Sequence, residues 1–105
     1  MSRPVAIGYL RRDVSGSRQP WDEEQIRSLA RRFGYDLSRI VAFSHHTDEP
    51  HQRLCNVVGR VGATAVFVPS LDHFVTREHV PTALLRLADI VTADTRFTYA
   101  RSPVP

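Results

Sequence analysis

The chain has 105 residues, of which 42% are hydrophobic, and it carries a formal net charge of +3 at pH 7. This length suits one globular domain with its own core, and the hydrophobic fraction excludes a disordered chain. No apolar run approaches the roughly 20 residues of a membrane-spanning helix, so no membrane contact is expected. Because Cys55 is the only cysteine, it cannot form an internal disulfide, which favours a cytoplasmic location.

The cationic residues are all arginines, 14 in number. Guanidinium groups bind phosphate or carboxylate through two-point hydrogen bonds, whereas a coding bias toward GC-rich codons explains the same composition without any function. The arginines are scattered, and Arg11-Arg12 and Arg31-Arg32 are the only doublets. The composition therefore permits DNA binding, but it does not predict tight binding.

The first predicted element is a buried strand over residues 4–10, because this segment is short, apolar and rich in strand formers. Residues 14–20 are predicted to form a loop, since Ser15-Gly16-Ser17 and Pro20 are typical of turns.

A helix follows, and its apolar face consists of residues at helical spacing: Ile26, Leu29, Ala30 and Phe33. The first turn is acidic and the last turn is basic, as the helix dipole favours. Asp22 and Gln25 have the spacing of a capping box, and Gly34 is a predicted C-terminal cap.

The remainder of the chain alternates in the same way. It predicts strands at 40–43, 65–68, 90–91 and 97–99, the last of which is a candidate edge strand. Helices are predicted at 51–61, ended by Gly62, and from about 76–81 onward, where the helix carries Leu84, Leu85 and Leu87. Cys55 is predicted to pack in the core, and residues 1–3 and 102–105 are predicted to be frayed.

This order of elements predicts one α/β domain over residues 1–105. It is expected to be a three-layer α/β/α structure with a mostly parallel sheet of four or five strands, wound as in flavodoxin. Ligands of such sheets bind beyond the carboxyl ends of the strands. The corresponding loops, 11–18, 44–49, 69–73 and 92–95, supply the candidate side chains: Arg11, Asp13, Ser15, Ser17, Arg18, His45, His46, Asp48, Asp72 and His73.

Three kinds of site have weak support in these residues. A metal site would use His45, His46, His51 and Asp48, but their spacing matches no structural zinc pattern, so no metal or other cofactor is expected. Ser15-Gly16-Ser17 is too short for a nucleotide-binding glycine-rich turn. A Ser-His-Asp hydrolase would need Ser15, His73 and Asp72, and no Gly-x-Ser-x-Gly motif supports it.

Two segments resemble the catalytic domain of serine recombinases, the resolvase and invertase family. Gly8-Tyr9-Leu10-Arg11 is similar to the Tyr-x-Arg opening of that family, and residues 62–74 are similar to its strand ending in Leu-Asp-Arg-Leu. Ser17-Arg18-Gln19 precedes a helix at a suitable place, and the resemblance spans roughly residues 5–90. The long dimerisation helix and the DNA-binding domain of the family have no counterpart here, so a reduced relative is expected.

The resemblance implies a serine that attacks a DNA phosphodiester while arginines stabilise the charged transition state. It assigns the first-strand arginine to Arg11 and the aspartate to Asp72. Asp13 stands where the family has its serine, so Ser15 can replace it only with an insertion of two residues. His73 stands in place of an arginine, and a further arginine position falls on Thr76.

We therefore expect a non-catalytic, resolvase-like binding or regulatory module that acts through a protein partner or self-association. The expected contact with a protein is an apolar patch near Phe74, Val75 and the third helix, and the alternative partner is a small anion bound at Arg11. The alternative is DNA phosphoryl transfer with Ser15 as the nucleophile and Arg11, Arg18 and Ser17 binding phosphate. Asp72 would then orient the arginines, and His73 would act as a general acid.

Overall fold

The computed structural model describes residues 2–74 and 80–102, which alternate between strands and helices. The strands are β1 Val5–Arg11, β2 Asp36–Phe43, β3 Ala65–Val68, β4 Asp89–Thr92 and β5 Phe97–Tyr99. The α-helices are α1 Arg12–Ser15, α2 Gln19–Arg32, α3 Pro50–Val61 and α4 Thr82–Leu85, and 3₁₀ turns lie at Gly16–Arg18 and Leu71–His73.

The five strands form one sheet in the order β2-β1-β3-β4-β5. Neighbouring strands are parallel from β2 to β4, and β5 pairs antiparallel with β4 at the edge. The predicted mostly parallel sheet is therefore confirmed. The last strand, β5, lies at an edge of the sheet, as expected. Strand order reverses between β1 and β3, because the chain moves from β1 outward to β2 and then returns to the other side.

The two faces of the sheet bury separate hydrophobic clusters, which gives the three predicted layers. On one face Ile7 and Val66 pack with Leu54 of α3 and Leu84 of α4. On the other face Ala6, Leu10, Ala65, Phe67 and Val91 pack with a single helix, α2, through Ile26, Leu29 and Ala30. Successive residues of a strand point to opposite faces, so β1 and β3 must be apolar throughout.

The predicted loop at residues 14–20 is wrong, because most of it is helical. Strand β1 runs directly into α1, and Gly16 with φ 55° turns the chain into the 3₁₀ segment before α2 begins. Ser15 is buried in the fold, so packing stabilises a helical turn that the sequence Ser15-Gly16-Ser17 does not favour by itself.

The predicted capping box of α2 is also wrong. The helix begins at Gln19, and the Asp22 carboxylate accepts a hydrogen bond from Ser15 instead of capping the helix. The C-terminal cap is confirmed: Gly34 has φ 81°, its N–H donates to Arg31, and the N–H of Tyr35 donates to Ala30. These two bonds are those of a Schellman motif.

Strand β2 is twice as long as predicted, since its first half carries the polar residues Asp36, Ser38 and Arg39. Its backbone pairs with β1 over the whole length of β1, while these side chains are exposed on an edge strand, so no apolar pattern marks them. Helix α4 contains Leu84 and Leu85, whereas Leu87 follows it. The predicted start of that helix at 76–79 lies outside the described residues.

Phe74 does not contribute to the expected apolar patch, because it is fully buried and its ring stacks on Tyr9; Val75 lies outside the described residues. Among the described residues, the exposed large apolar side chains are Leu87, which follows α4 in the region of the predicted third helix, and Trp21, Phe33 and Phe97, which lie elsewhere. Cys55 is partly buried against the core, as predicted, and burial raises the pKa of its thiol. Within residues 2–74 and 80–102, no helix has the length and apolarity to span a membrane.

Candidate functional site

A cleft of about 340 Å³ opens at the carboxyl edge of the sheet. Its walls come from the segments that follow β1, β3 and β4, next to the point where the strand order reverses, which is where open α/β sheets bind their ligands. The lining residues are Val14, Ser15, Arg18, Trp21, Asp22, Gln25, Pro69, Ser70, Asp72, His73, Ala93 and Asp94. The cleft therefore brings together four candidates from the sequence, Ser15, Arg18, Asp72 and His73.

The hydroxyl of Ser15 lies on the floor of the cleft. It donates a hydrogen bond of 2.7 Å to Oδ2 of Asp22, and both side chains are about 6% exposed. The pair joins the end of α1 to the first turn of α2 and satisfies two buried polar groups at once. Ser15 is thus held by a neighbouring carboxylate, whereas His73, the residue that a Ser-His-Asp hydrolase would need beside it, is hydrogen-bonded to Arg11 of β1.

His73 is fixed to β1 by two hydrogen bonds. Its Nδ1 accepts from the backbone N–H of Arg11 at 2.9 Å, and its carbonyl accepts from the Tyr9 hydroxyl at 2.7 Å. Because Nδ1 is the acceptor, the proton of the neutral ring lies on Nε2. Burial lowers the pKa of His73, and burial raises the pKa of Tyr9 to about 12. Both groups are therefore uncharged at neutral pH.

The guanidinium of Arg11 does not face the cleft. It forms a two-point ion pair with Asp13, in which Nη2 lies 2.6 Å from Oδ2 and Nε lies 3.2 Å from Oδ1. Hydrogen bonds from Arg11 hold the pKa of the Asp13 carboxyl below its usual value. The residue that the resemblance assigns to phosphate stabilisation is thus neutralised by the residue that occupies the serine position.

At the mouth of the cleft, the guanidinium carbon of Arg18 lies 4.6 Å from the centroid of the Trp21 ring. Trp21 nevertheless remains 54% exposed. Asp22, Asp72 and Asp94 contribute three carboxyl groups to the lining, against the one guanidinium of Arg18. The cleft is therefore acidic on a chain whose net charge is positive.

The remaining candidates lie outside the cleft. Ser17 is exposed and does not line it, and the loop after β2 places the rings of His45 and His46 3.8 Å apart, away from the cleft lining. In the part of the chain that the structure describes, no group of three or more His, Cys, Asp or Glu side chains is arranged to hold a metal ion. His51 packs its ring against Phe74, and its buried Nε2 has no hydrogen-bond partner among the described residues.

We predict that acid destabilises the fold through His51 and His73. Burial lowers the pKa of both side chains below the ordinary value of 6.5, so the unfolded chain binds more protons than the folded chain below that pH. The contribution of the two neutral imidazoles to stability is fully present above pH 6.5, and it is lost as the pH falls through the pKa values of His51 and His73 in the folded protein. Urea unfolding measured at pH 7.5, 6.5 and 5.5 is expected to show a decreasing free energy of unfolding.

The variant His51→Leu serves as the control, because leucine fills the space of the His51 ring with an apolar side chain and removes one titrating group. Its free energy of unfolding is expected to change less between pH 7.5 and 5.5 than that of the wild type. A stability that is constant or that increases toward pH 5.5 would contradict the assignment of neutral, buried rings.

Sequence reasoning missed Trp21, Asp22 and Gln25 as parts of the site. Their segment lies at the start of α2, where the helix dipole and a capping box account for acidic and polar residues without any ligand. No sequence signal links Ser15 to Asp22, since their contact depends on how α1 turns back toward α2. Ser70 and Asp94 follow β3 and β4, so the rule for carboxyl ends does indicate their region.

The fold and the cleft define an α/β protein with a site at the carboxyl edge of a mostly parallel sheet. No protein-family model matches the sequence, and no curated protein sequence matches it either.

Proposed function

We propose that the chain is a non-catalytic binding module on a resolvase-like scaffold, and that it acts in the cytoplasm through a protein partner. The observation that carries the proposal is the ion pair of Arg11 with Asp13, at 2.6 Å. An arginine that stabilises a phosphoryl transition state must aim its donors at the developing charge. Here those donors are directed at a carboxylate of the same chain.

The charges of the cleft support the same conclusion. A phosphate that approached Ser15 would meet Asp22 directly and Asp72 and Asp94 on the walls, and like charges repel more strongly in a partly buried site. His73 supplies no compensating positive charge, because burial keeps its ring neutral. The single cysteine and the exposed Trp21 suit a cytoplasmic protein with a protein contact.

One observation favours the alternative, which is DNA phosphoryl transfer by Ser15. Its hydroxyl already donates to a carboxylate at 2.7 Å, as a serine activated by a general base would, and Asp72 and His73 line the same cleft. Against this, Ser15 is about 6% exposed, so a phosphodiester on DNA would have to enter the cleft to reach it.

The two functions are separated by DNA binding. We expect that wild-type protein titrated into labelled duplex DNA, followed by fluorescence anisotropy, shows no tight binding that weakens steeply between low and physiological salt. Asp13→Ala releases the Arg11 guanidinium, so this variant is expected to bind DNA more tightly at low salt than the wild type. Asp36→Ala removes an equal charge from the exposed start of β2 and controls for net charge.

Tight, salt-dependent binding by the wild type, together with DNA cleavage that is lost in Ser15→Ala, would overturn the proposal in favour of the alternative. Equal DNA binding by Asp13→Ala and Asp36→Ala would contradict the role given to the Arg11–Asp13 ion pair.

A further inference from the structure

We infer that the cleft at the carboxyl edge of the sheet binds a guanidinium group, presented as an arginine side chain by a protein partner. This inference deepens the proposed function and rests on it, since it names the chemistry of the partner at the same site. Three independent features of the cleft lead to it: its charge, its aromatic wall and its size.

The charge favours a cation. Asp72 and Asp94 reach the walls from the segments after β3 and β4, and Asp22 reaches the floor from α2. A carboxylate accepts two parallel hydrogen bonds from a guanidinium, and that geometry is stronger and more specific than a contact with an ammonium group. Clefts in which one sign of charge predominates concentrate ligands of the opposite sign, and here three aspartates face one arginine although the whole chain has a positive net charge.

The aromatic wall already holds a guanidinium. Arg18 places its guanidinium carbon 4.6 Å from the Trp21 centroid at the mouth of the cleft, within the range of a cation–π contact. Arg18 is exposed, and it forms no ion pair with a carboxylate of the described residues. The ring of Trp21 thus accepts a guanidinium of the same chain, and more than half of Trp21 remains open to a second one.

The size of the cleft and the Nε2–H donor of His73 suit a side chain carried on a peptide. A volume of about 340 Å³ lies at the lower end of the range of ligand pockets, so it admits one long side chain rather than a folded segment. His73 is 2% exposed, and because Nδ1 accepts from β1 its Nε2 carries a proton for donation. The described residues give that proton no acceptor, and a peptide carbonyl next to the arginine provides one.

The test uses the fluorescence of Trp21, which is the sole tryptophan. Nα-acetyl-arginine amide is expected to change its emission with saturation at a Kd on the order of 1 mM, as befits one side chain. Nα-acetyl-citrulline amide has nearly the same shape without the charge and is expected to bind at least about threefold more weakly. Equal responses to the two compounds would overturn the inference.

Variants of the cleft identify the groups that bind. Asp72→Asn combined with Asp94→Asn is expected to weaken binding of the arginine compound about tenfold, because two exposed charge contacts are lost. Asp36→Asn, an exposed aspartate at the start of β2, is expected to leave binding unchanged. If the Asp72→Asn/Asp94→Asn double variant and Asp36→Asn bind the arginine compound equally well, the carboxylates of the cleft do not hold the ligand, and the inference is overturned.

The variant Arg18→Gln tests whether the cleft binds a cation, because the resident guanidinium should repel a second positive charge. Removing the resident guanidinium frees the covered face of Trp21 and one opposing charge, so binding of the arginine compound is expected to strengthen. Weaker binding of the arginine compound by this variant would show that Arg18 does not compete with a cation in the cleft and would overturn the inference. None of these results depends on DNA, so a failure here leaves the binding-module proposal standing, whereas DNA cleavage by Ser15 would remove that proposal separately.

Discussion

Phe67→Ala is expected to lower the free energy of unfolding by about 3–5 kcal/mol. Phe67 lies on the central strand β3 and is fully buried, and its ring packs edge-on against Phe33 at 5.8 Å and Tyr35 at 5.5 Å. Among the described residues, α2 is the helix that packs on this face of the sheet, so few neighbouring side chains are available to fill the cavity. The loss is a large part of the stability of a small domain, and Tm is expected to fall by more than about 10 °C.

Urea unfolding followed by circular dichroism measures this effect. Phe97→Ala is the matched control, because it removes the same side chain from β5, where Phe97 is 55% exposed. Its cost is expected to remain below about 1 kcal/mol. If Phe67→Ala is too unstable to purify, Phe67→Leu leaves a smaller cavity and is expected to cost about 1–2 kcal/mol. Equal losses for the Phe67 and Phe97 variants would contradict the assignment of the core.

Gly8→Ala is expected to destabilise the fold by about 1–3 kcal/mol. A Cβ atom at Gly8 would lie 2.7 Å from Cγ2 of Ile26 and 3.0 Å from Cγ1 of Ile40. Ile26 is fully buried in α2, so it cannot move aside without disturbing the packing of the helix on β1. Gly8 is therefore needed for the close approach of α2 to the sheet, and not for an unusual backbone conformation, since its φ is not positive.

The same substitution in α3 provides a control of opposite sign. A Cβ atom at Gly59 would meet no atom within 4 Å, and Gly59→Ala in a helix interior is expected to stabilise the fold by up to about 1 kcal/mol. A double-mutant cycle of Gly8→Ala with Ile26→Ala isolates the clash, because removal of Cγ2 is expected to offset part of the cost. Strict additivity of the two changes would refute the close contact.

Much of the fold was predictable, because the apolar runs of the strands and the helical spacing of apolar residues in α2 are both clear in the sequence. The apolar residues of β1 and β3 form continuous runs, which only strands covered on both faces require. Ile26, Leu29 and Ala30 mark the buried face of α2, and Gly34 and Gly62 end their helices with positive φ as predicted. The region of the site followed from the same reasoning, since parallel strands place their carboxyl ends at one edge.

The local sequence pattern predicted the wrong structure where a residue distant in the chain provides the contact that decides it. The first half of β2 is polar because it lies at an edge, so backbone pairing with β1 decides its structure and the side chains give no signal. Asp22 has the spacing of a helix cap, yet the hydroxyl of Ser15 is the partner that it finds when α1 and α2 pack. Phe74 follows a polar turn in sequence, yet it stacks on Tyr9 inside the core.

The sequence by itself determined the class of fold, the edge of the sheet that carries the site, and the candidates Ser15, Arg18, Asp72 and His73, because these depend on periodicity and strand order. Only the tertiary structure decided which groups the charged and polar side chains contact. In the folded chain Arg11 pairs with Asp13, and His73 is bound to β1 through Arg11 and Tyr9. Aspartates from three separate segments line one cleft. Such contacts join residues that are distant in the chain, so their geometry depends on packing and leaves no pattern along the sequence.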